Sequence, residues 1–450
     1  MDESALLERS HRYAQRYRDS LEQRPVFPFH GSRQALSGFD EALPANGHGD
    51  ADTLDLLERI GSPGTVASAG PRYFGFVIGG TLPVAAAAEQ LALAWDQCAS
   101  SPTNSPAAAK IEQVAAGWVL ELLDLPREAG VSFGTSATAG GLTCLATARR
   151  ALLQRAGWDF DELGLAGAPP LRVVVSELTH ITVLKALRLL GFGRSAMVRA
   201  PVDGFGRIDP DRLPMLDART VLCLQAGEVN TGEFDPFVPL IARARAAGAW
   251  VHVDGAFGLW ARANPNTQGL TEGVEGADSW TTDGHKWLNT PYDGGMAICR
   301  DAALMAQTMN SDAAYASDAA DSQKNLGLEF SRRARGVPIW AVLRSLGRAG
   351  VALLVERHCQ LARRLADGLR AEGFEVLNRV VLNQVLVRDL DDARTDILRE
   401  AATASGETWF GPALWQDRRA FRLSISNWRT DTQHIDTLVA LLTRLRSSPG

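Results

Sequence analysis

The segment SWTTDGHKWLN, from Ser279 to Asn289, is the starting point for interpreting the chain. In it Lys286 stands between a histidine and a tryptophan, whereas a lysine on a solvated face usually has charged or small polar neighbours. The segment alone allows two interpretations. Lys286 either extends past apolar neighbours to reach water, or presents its amine inside a pocket. Features elsewhere in the chain decide between them.

Composition restricts the class of protein. The chain has 450 residues, of which 46% are hydrophobic and 22% charged, which suffices for a large core in two or three compact units. A net charge of -6 disfavours a nucleic-acid-binding protein. The five cysteines are scattered and form no C-x-x-C pair, as is typical of reduced thiols. The charged N-terminus predicts no signal peptide, and no apolar run approaches the ~20 residues of a membrane span. We therefore expect a soluble, cytoplasmic protein with neither nucleic acid nor membrane as a partner.

Alternating strands and helices in the middle of the chain predict the fold. The segments LRVVVSEL, RTVLCLQAG and AWVHVDGAF have nearly continuous apolar runs, and the helices ITVLKALRLLG and PFVPLIARARAAG lie between them. This pattern is typical of α/β proteins with a mostly parallel, doubly wound sheet. We expect an N-terminal helical extension over 1–70, a large α/β domain over 71–337 and a small α+β domain over 338–450. Functional residues then belong at the carboxyl ends of the strands.

An aspartate ends one of these strands. Asp254 closes AWVHVD, where an ionised carboxylate is costly unless a cation or several donors meet it. The small residues that follow leave room for a flat ligand, although a helix cap or a turn explains the aspartate equally well. His252, Asp254 and His285 also suggest a metal site. No further ligand completes that set, so we predict no metal.

Two further segments place polar groups after strands. In FGTSATAGGLTCLATARR a short strand ends at Gly134, and a helix begins after Thr135 and Ser136. Hydroxyl and free N–H groups at a helix N-terminus suit a phosphate, although simple capping would use the same residues. His180 follows another strand, where a lone histidine is commonly structural.

These features together fit one cofactor. Pyridoxal phosphate requires a phosphate cradle, an aromatic neighbour, a carboxylate at its pyridine nitrogen and a lysine amine that forms a Schiff base. The phosphate helix, His180, Asp254 and Lys286 follow one another in this order along the chain.

The same segments resemble a known family. HVDGAFG and DGHKW are similar to the aspartate and lysine motifs of the group II pyridoxal-phosphate-dependent amino-acid decarboxylases of fold type I. That family includes aromatic-L-amino-acid and glutamate decarboxylases. GTSATAGGLTCLATARR resembles its phosphate-loop helix, and RYFGFVIGGTLP, SPAAAKIE and GEFDPF occur in the expected order. The resemblance runs from about Arg72 to Gly347, continues weakly to the C-terminus, and identifies Lys286 as the Schiff-base lysine.

The resemblance implies a role for each site residue. Asp254 would pair with the pyridine nitrogen, His180 would stack on the ring and orient the substrate carboxylate, and Ala256 would pack on the other ring face. Lys286, His180 and Asp254 would be the catalytic residues. The phosphate would be held by Ser136, Ala137, Thr138 and His285. The family also implies a homodimer with active sites at the subunit interface.

Several positions depart from the family. Glu228 replaces a threonine, and near the cofactor it could select a basic or hydroxylated substrate or act as a base. Gly255 and Gly284 replace bulkier or polar residues. In the decarboxylases that the chain resembles, a mobile loop carries a tyrosine that reprotonates the carbanion. The corresponding segment here, NSDAAYASDAADSQKNLGLEFSRR, looks shorter than that loop. Its only tyrosine, Tyr315, stands where a non-catalytic tyrosine usually falls.

The predicted reaction is decarboxylation of an L-amino acid through an external aldimine and a quinonoid. Eleven tryptophans, including Trp95, Trp260 and Trp287, slightly favour an aromatic substrate. A transaminase, an aldehyde-forming oxidative deaminase or a Cα–Cβ lyase on the same scaffold are the enzymatic alternatives. A catalytically silent, cofactor-binding regulatory or scaffold protein is the non-enzymatic alternative, and the intact set of catalytic residues argues against it.

Overall fold

The structure, a computed structural model, describes residues 2–310 and 322–447. The chain divides into two compact units, each built from separate stretches of sequence. The larger unit comprises Gly79–Gln360 and Asn378–Gln384, and the smaller comprises Met1–Ile78, Leu361–Leu377 and Val385–Gly450. The three-part division expected from the sequence stays a prediction.

Seven strands form the sheet of the larger unit. They are β1 (Gly130–Gly134), β2 (Arg172–Ser176), β3 (Met197–Ala200), β4 (Thr220–Gln225), β5 (Trp250–Asp254), β6 (Ser279–Asp283) and β7 (Gly295–Cys299). Their order is β1-β7-β6-β5-β4-β2-β3, and β7 is antiparallel to both of its neighbours while the other pairings are parallel. Because β7 separates two strands of the same direction, the carboxyl ends of β1, β2, β4, β5 and β6 share one edge of the sheet. The mostly parallel α/β sheet predicted from the apolar runs is confirmed.

A second sheet belongs largely to the smaller unit. It consists of β8 (Glu375–Val376), β9 (Gln384–Arg388), β10 (Gly411–Trp415) and β11 (Arg418–Ser424), in the order β10-β11-β9-β8. The N-terminal part of the chain joins this unit through backbone hydrogen bonds. Phe74 N–H donates to the Trp409 carbonyl at 2.9 Å, and Ser424 N–H donates to the Phe74 carbonyl at 2.8 Å.

Helices connect the strands. They are α1 (Glu3–Asp19), α2 (His30–Ala35), α3 (Asp50–Leu56), α4 (Ser62–Gly64), α5 (Pro83–Trp95), α6 (Pro106–Leu122), α7 (Ala137–Arg155), α8 (Phe160–Leu163), α9 (Ile181–Leu189), α10 (Phe237–Ala246), α11 (Ala302–Met309), α12 (Gly336–Ala371), α13 (Asp392–Ser405) and α14 (Thr432–Ser447).

The core of the larger unit explains why β2, β4 and β5 lack polar alternation. All six residues of β4 are buried, as are four of the five in both β2 and β5. Leu145 and Leu152 of α7 pack in one cluster with Val173, Val175 and Val221 of the sheet. Full burial of such a side chain contributes about 1.5–3 kcal/mol relative to its exposed state. The apolar strands therefore form the surface on which α7 packs. This packing also determines where α7 begins relative to the sheet.

One helix of the described residues, α12, has the length and apolar composition of a membrane span. Core helices of water-soluble proteins meet the same criterion, and 44% of its most apolar window is buried. Gly347, with φ 61° and ψ -176°, also breaks its helical geometry. All five cysteines are free, and Cys98 is the one that is not fully buried.

Candidate active site

The loops that contain the predicted site residues lie at the carboxyl edge of the large sheet. Asp254 is the last residue of β5, and Lys286 comes three residues after the end of β6. Ser136 follows the end of β1 by two residues, and His180 follows the end of β2 by four. Because these strands are parallel to one another, the four loops leave the sheet at the same edge.

Lys286 is largely shielded from solvent at this edge. Its Nζ is 4.0 Å from Asp283 Oδ2 and 5.8 Å from the centre of the Phe257 ring, and its side chain is 22% exposed. The surrounding turn is tightly held. A Cβ on Gly79 would lie 2.1 Å from the Lys286 carbonyl oxygen, so only glycine fits there. Asn289, at φ 58°, donates from Nδ2 to the Trp287 carbonyl at 2.7 Å. Of the two interpretations of Lys286, the structure supports an amine in a pocket.

Two of the tryptophans that slightly favoured an aromatic substrate have structural roles. Trp287 is buried and donates from Nε1 to His358 Nδ1 at 2.8 Å. Trp260 is also buried and donates from Nε1 to the Asp283 carbonyl at 3.0 Å. Both indoles therefore stabilise the segment around Lys286 from within the core. They carry no information about the substrate.

The Asp254 carboxylate is held by its neighbours. Its Oδ1 accepts from the Ala256 N–H at 3.1 Å and from the Thr281 hydroxyl at 3.4 Å. The glycine at 255 has a steric reason, because a Cβ there would lie 2.7 Å from Leu259 Cβ. The Ala256 carbonyl accepts from the Asp283 N–H at 2.9 Å, which joins the ends of β5 and β6.

His252 belongs to the core. It is fully buried, and its Nδ1 lies 3.0 Å from the Ser279 hydroxyl oxygen. Within residues 2–310 and 322–447, no group of three His, Cys, Asp or Glu side chains is arranged to hold a metal ion.

The start of α7 lies against strand β7. Ser136 caps the helix, and its hydroxyl accepts from the Ala139 N–H at 3.5 Å. A Cβ on Gly295 would lie 2.4 Å from Ser136 Cα, so the backbones meet where Ala137 and Thr138 begin the helix. The first N–H groups of a helix have no intrahelical acceptor and carry a partial positive charge. This end of α7 therefore has the chemistry to accept an anion, and its backbone packs closely against Gly295.

Asp283 is a site residue that sequence reasoning missed. Its side chain is 3% exposed, and its Oδ2 lies 3.6 Å from His285 Nε2. The pKa of Asp283 is raised to about 7. Burial is the largest cause and Asp254 acts in the same direction, whereas Lys286 and the Ala137 N–H lower the pKa. Its place at the end of a strand becomes evident only once β6 is known.

His285 is a neutral imidazole at physiological pH. Burial, reinforced by the nearby Lys286 charge, lowers the pKa of His285 to about 4. Its Nδ1 accepts from the Gly294 N–H at 3.2 Å, so the proton of the neutral ring resides on Nε2. That nitrogen lies 3.6 Å from Asp283 Oδ2. The ring also packs against Tyr292, with centroids 4.4 Å apart and planes tilted by 30°.

His180 has a capping role that the sequence did not reveal. It is the N-cap of α9, where its Nδ1 accepts from the Thr182 N–H at 3.4 Å and lies 2.7 Å from the Thr182 hydroxyl oxygen. The structure places it at the carboxyl edge, and its stacking role stays a prediction.

Glu228 has a structural task. It is 1% exposed, and its carboxylate accepts from the N–H groups of Asn230 and Thr231 at 2.8 and 2.7 Å. The Asn230 amide and the Thr231 hydroxyl add bonds of 3.1 and 3.0 Å. These four hydrogen bonds stabilise the buried carboxylate. A role of Glu228 in the chemistry is not needed to explain its burial. Tyr315 lies outside the described residues.

Comparisons with known proteins agree with this geometry. The chain matches the pyridoxal-dependent decarboxylase conserved domain over residues 33–388. Tryptophan decarboxylase 1 of Oryza sativa subsp. japonica is 28% identical over 429 residues, covering 85% of this chain and 82% of the relative. Phenylacetaldehyde synthase of a Rosa hybrid cultivar is 24% identical, covering 93% and 89%. A crystal structure of Oryza sativa TDC with PLP and tryptamine has a TM-score of 0.91 at 24% identity, covering 99% of this chain and 97% of the other.

Proposed function

This chain belongs to the pyridoxal-dependent decarboxylase family, and we propose that it removes the α-carboxylate of an aromatic L-amino acid as CO₂. The family match confirms the predicted carboxy-lyase class and pyridoxal phosphate cofactor, and the structural match confirms the predicted fold type. The observation that carries the proposal is the pocketed Lys286 amine, 4.0 Å from Asp283 at the edge where Asp254 and α7 meet.

The residues present fit the cofactor. We assign its phosphate to Ser136, Ala137, Thr138 and His285. The start of α7 offers N–H groups without an intrahelical acceptor, and both the Ala137 N–H and His285 Nε2 lie beside Asp283. The buried Asp283 Oδ1 forms no hydrogen bond within the described residues, which leaves polar capacity for a ligand. When bound, pyridoxal phosphate supplies an electron sink for the carbanion that loss of CO₂ creates.

The remaining roles follow from chemistry at named atoms. Lys286 Nζ would hold the cofactor through its aldehyde and would yield that bond to the substrate amine. The Asp254 carboxylate would hold a proton on the pyridine nitrogen, since its Oδ2 remains available beyond the two donors on Oδ1. His180 and Ala256 would contact the ring. The Cα–carboxylate bond must stand perpendicular to the ring for CO₂ to leave, so orientation of the substrate carboxylate sets the reaction.

Relatives support an aromatic substrate. One of them carries the name tryptophan decarboxylase and another phenylacetaldehyde synthase, and this chain spans more than four-fifths of each. An aromatic side chain is the feature that these two names share.

A second candidate function is the formation of an aldehyde from the same substrate. Between Asn310 and Arg332 the chain has one tyrosine, Tyr315, so few acids there can protonate Cα after CO₂ is lost. A proton donor must come within about 3 Å of its target, directly or through one water. If protonation is slow, O₂ can oxidise the carbanion, and water then releases aldehyde, ammonia and H₂O₂. The phenylacetaldehyde synthase relative favours this outcome as a side reaction.

Product analysis tests the proposal. The holoenzyme is incubated in air with carboxyl-¹³C-labelled L-tryptophan, L-tyrosine and L-phenylalanine, and CO₂, amine, aldehyde, keto acid and O₂ uptake are measured. We expect labelled CO₂ in step with amine from at least one substrate, and a smaller amount of aldehyde in step with O₂ uptake. Accumulation of keto acid without labelled CO₂ would show a transaminase instead.

Two further proposals concern the assembly and the compartment. The family resemblance supports a homodimer with active sites at the subunit interface. The five free cysteines support a reducing compartment, the cytoplasm.

A further inference from the structure

Two of the buried cysteines lie side by side in the core of the larger unit. Cys144 belongs to α7, Cys299 is the last residue of β7, and both are fully buried. The Cys299 thiol donates to the Cys144 sulfur, and the two Sγ atoms are 3.9 Å apart. Because the S–S bond of a disulfide is about 2.05 Å long, an approach of about 2 Å would join the two sulfurs.

The two thiols differ in acidity. Burial raises the pKa of Cys144, but the Cys299 thiol and the His252 ring outweigh burial and lower that pKa to about 6. In contrast, Cys144 and burial both raise the pKa of Cys299. The pair therefore holds its negative charge on Cys144 and its proton on Cys299. A thiolate beside a thiol is the arrangement that reacts with oxidants, because the thiolate is the nucleophile.

His252 is placed to stabilise the Cys144 thiolate. Its Nδ1 lies 3.0 Å from the Ser279 hydroxyl oxygen, which accepts from Trp250 Nε1 at 3.0 Å. The hydroxyl can then donate to Nδ1, which leaves the ring proton on Nε2. In the part of the chain that the structure describes, this buried Nε2 forms no hydrogen bond. Its N–H is therefore available to a negative charge on the Cys144 sulfur.

We propose that Cys144 and Cys299 are a modification site, at which hydrogen peroxide forms a reversible disulfide between α7 and β7. The Cys144 sulfur attacks one peroxide oxygen, the O–O bond breaks, and the other oxygen leaves as water with the thiol proton. Cys144 is then a sulfenic acid. The Cys299 sulfur attacks the Cys144 sulfur, the S–O bond breaks, and the Cys299 proton leaves in a second water. Two thiols are oxidised, and one peroxide is reduced to two waters.

Burial restricts which oxidants reach the pair. Hydrogen peroxide is small and uncharged, so it enters a core through the local openings that also permit hydrogen exchange. The proposal goes beyond decarboxylation and does not depend on it, because any source of peroxide suffices. The aldehyde-forming side reaction is one such source. His252 shares a face of β5 with Asp254, so the pair lies behind the edge where that reaction would release peroxide.

Peptide mapping of the purified wild-type protein tests the proposal. The protein is treated with hydrogen peroxide, the excess is removed with catalase, and the chain is unfolded in guanidinium with N-ethylmaleimide to block every remaining thiol. After digestion we expect a pair of peptides linked through Cys144 and Cys299, which dithiothreitol separates. Maleimide on both cysteines would overturn the proposal, and so would a sulfinic or sulfonic acid at either position in place of the link.

Two alanine variants locate the reaction. Cys299→Ala removes the second thiol, so we expect a sulfenic acid on Cys144, trapped with dimedone, and no link. Cys223→Ala is the matched control, because Cys223 on β4 is also buried, and burial and Asp254 raise its pKa and keep its thiol protonated. This control should form the link as fast as the wild type. A link from Cys144 to another cysteine in Cys299→Ala, or loss of the link in Cys223→Ala, would refute the pairing. The wild-type map decides the question even if a variant fails to fold.

Discussion

Two aspartates at the ends of adjacent strands have different surroundings. Asp254 ends β5, where two donors hold its Oδ1. Asp283 ends β6, where burial raises its pKa to about 7 and Oδ1 forms no hydrogen bond within the described residues. The same residue type therefore meets two different local environments at the same edge of the sheet.

Asp254→Asn should keep the cofactor and lose turnover. The amide preserves the size of the side chain and its acceptor for the Ala256 N–H, but it cannot hold a proton on the pyridine nitrogen. We expect kcat to fall about a hundredfold, equivalent to about 2.7 kcal/mol of barrier. Steady-state kinetics and the cofactor content of the purified protein check this.

Asp217→Asn is the control for that variant. Asp217 precedes β4 at the opposite end of the strand, where it accepts from the Thr220 hydroxyl at 2.7 Å. Its kcat should match that of the wild type. A normal rate in Asp254→Asn, or an equal loss in both variants, would show that Asp254 does not face the ring nitrogen.

Much of the candidate site could be predicted from single residues. The residues next to Lys286, Asp254 and Ser136 in the sequence are already unusual for exposed positions. The structure brings these three residues to one edge of the sheet. Asp283 could not be assigned in the same way, because its importance comes from burial and from the facing Ala137 N–H, and both depend on residues distant in sequence. The capping role of His180 is equally invisible without coordinates.

At the scale of elements, the site depends on the contact between α7 and β7. Gly134 of β1 and Gly295 of β7 are register partners in the sheet. A Cβ on Gly295 would meet the backbone of Ser136 at 2.4 Å, whereas a Cβ on Gly134 would meet nothing within 4 Å. Alanine substitutions at these two glycines can therefore be compared. Both place alanine in a strand, but only the one at Gly295 makes a methyl group clash with the start of α7.

Gly295→Ala should destabilise the cofactor-free protein. The added methyl has to displace the first turn of α7, and overpacking of this kind costs about 1–3 kcal/mol. Gly134→Ala should leave the stability close to that of the wild type, since its methyl enters open space. Thermal unfolding of the two variants checks the difference. Equal melting temperatures would show that β7 does not constrain the start of α7.

The elements themselves were predictable to different degrees. The apolar runs of β2, β4 and β5 identify them, because strands buried on both faces need such runs. Strand β7 (Gly295–Cys299) was not predicted. Its antiparallel direction results from pairing with β1 across a long stretch of sequence, which local patterns do not reveal.

At the scale of the whole molecule, each compact unit is assembled from separate stretches of chain. Residues up to Ile78 belong to the same unit as most of the chain after Leu361. Local composition cannot reveal such an arrangement, because it depends on backbone pairs such as Phe74 with Trp409.

The proposed homodimer can be tested on the whole protein. Light scattering coupled to size-exclusion chromatography should give the mass of two chains at concentrations where the enzyme is active. Dilution that yields monomers should abolish activity in parallel, because the active sites are proposed to lie at the interface. A monomer with full activity would contradict the proposal.

The most direct test of the central claim is chemical trapping of the cofactor on the protein. The claim is that Lys286, at the carboxyl edge of the sheet, binds the aldehyde of pyridoxal phosphate. The holoenzyme is reduced with borohydride and digested, and the modified peptide is sequenced by mass spectrometry, with Lys286→Ala as the parallel sample. We predict a pyridoxyl group on Lys286 in the wild type, and no such label and no yellow colour in the variant. Label on another lysine, or an unlabelled Lys286 in an active enzyme, would contradict the account.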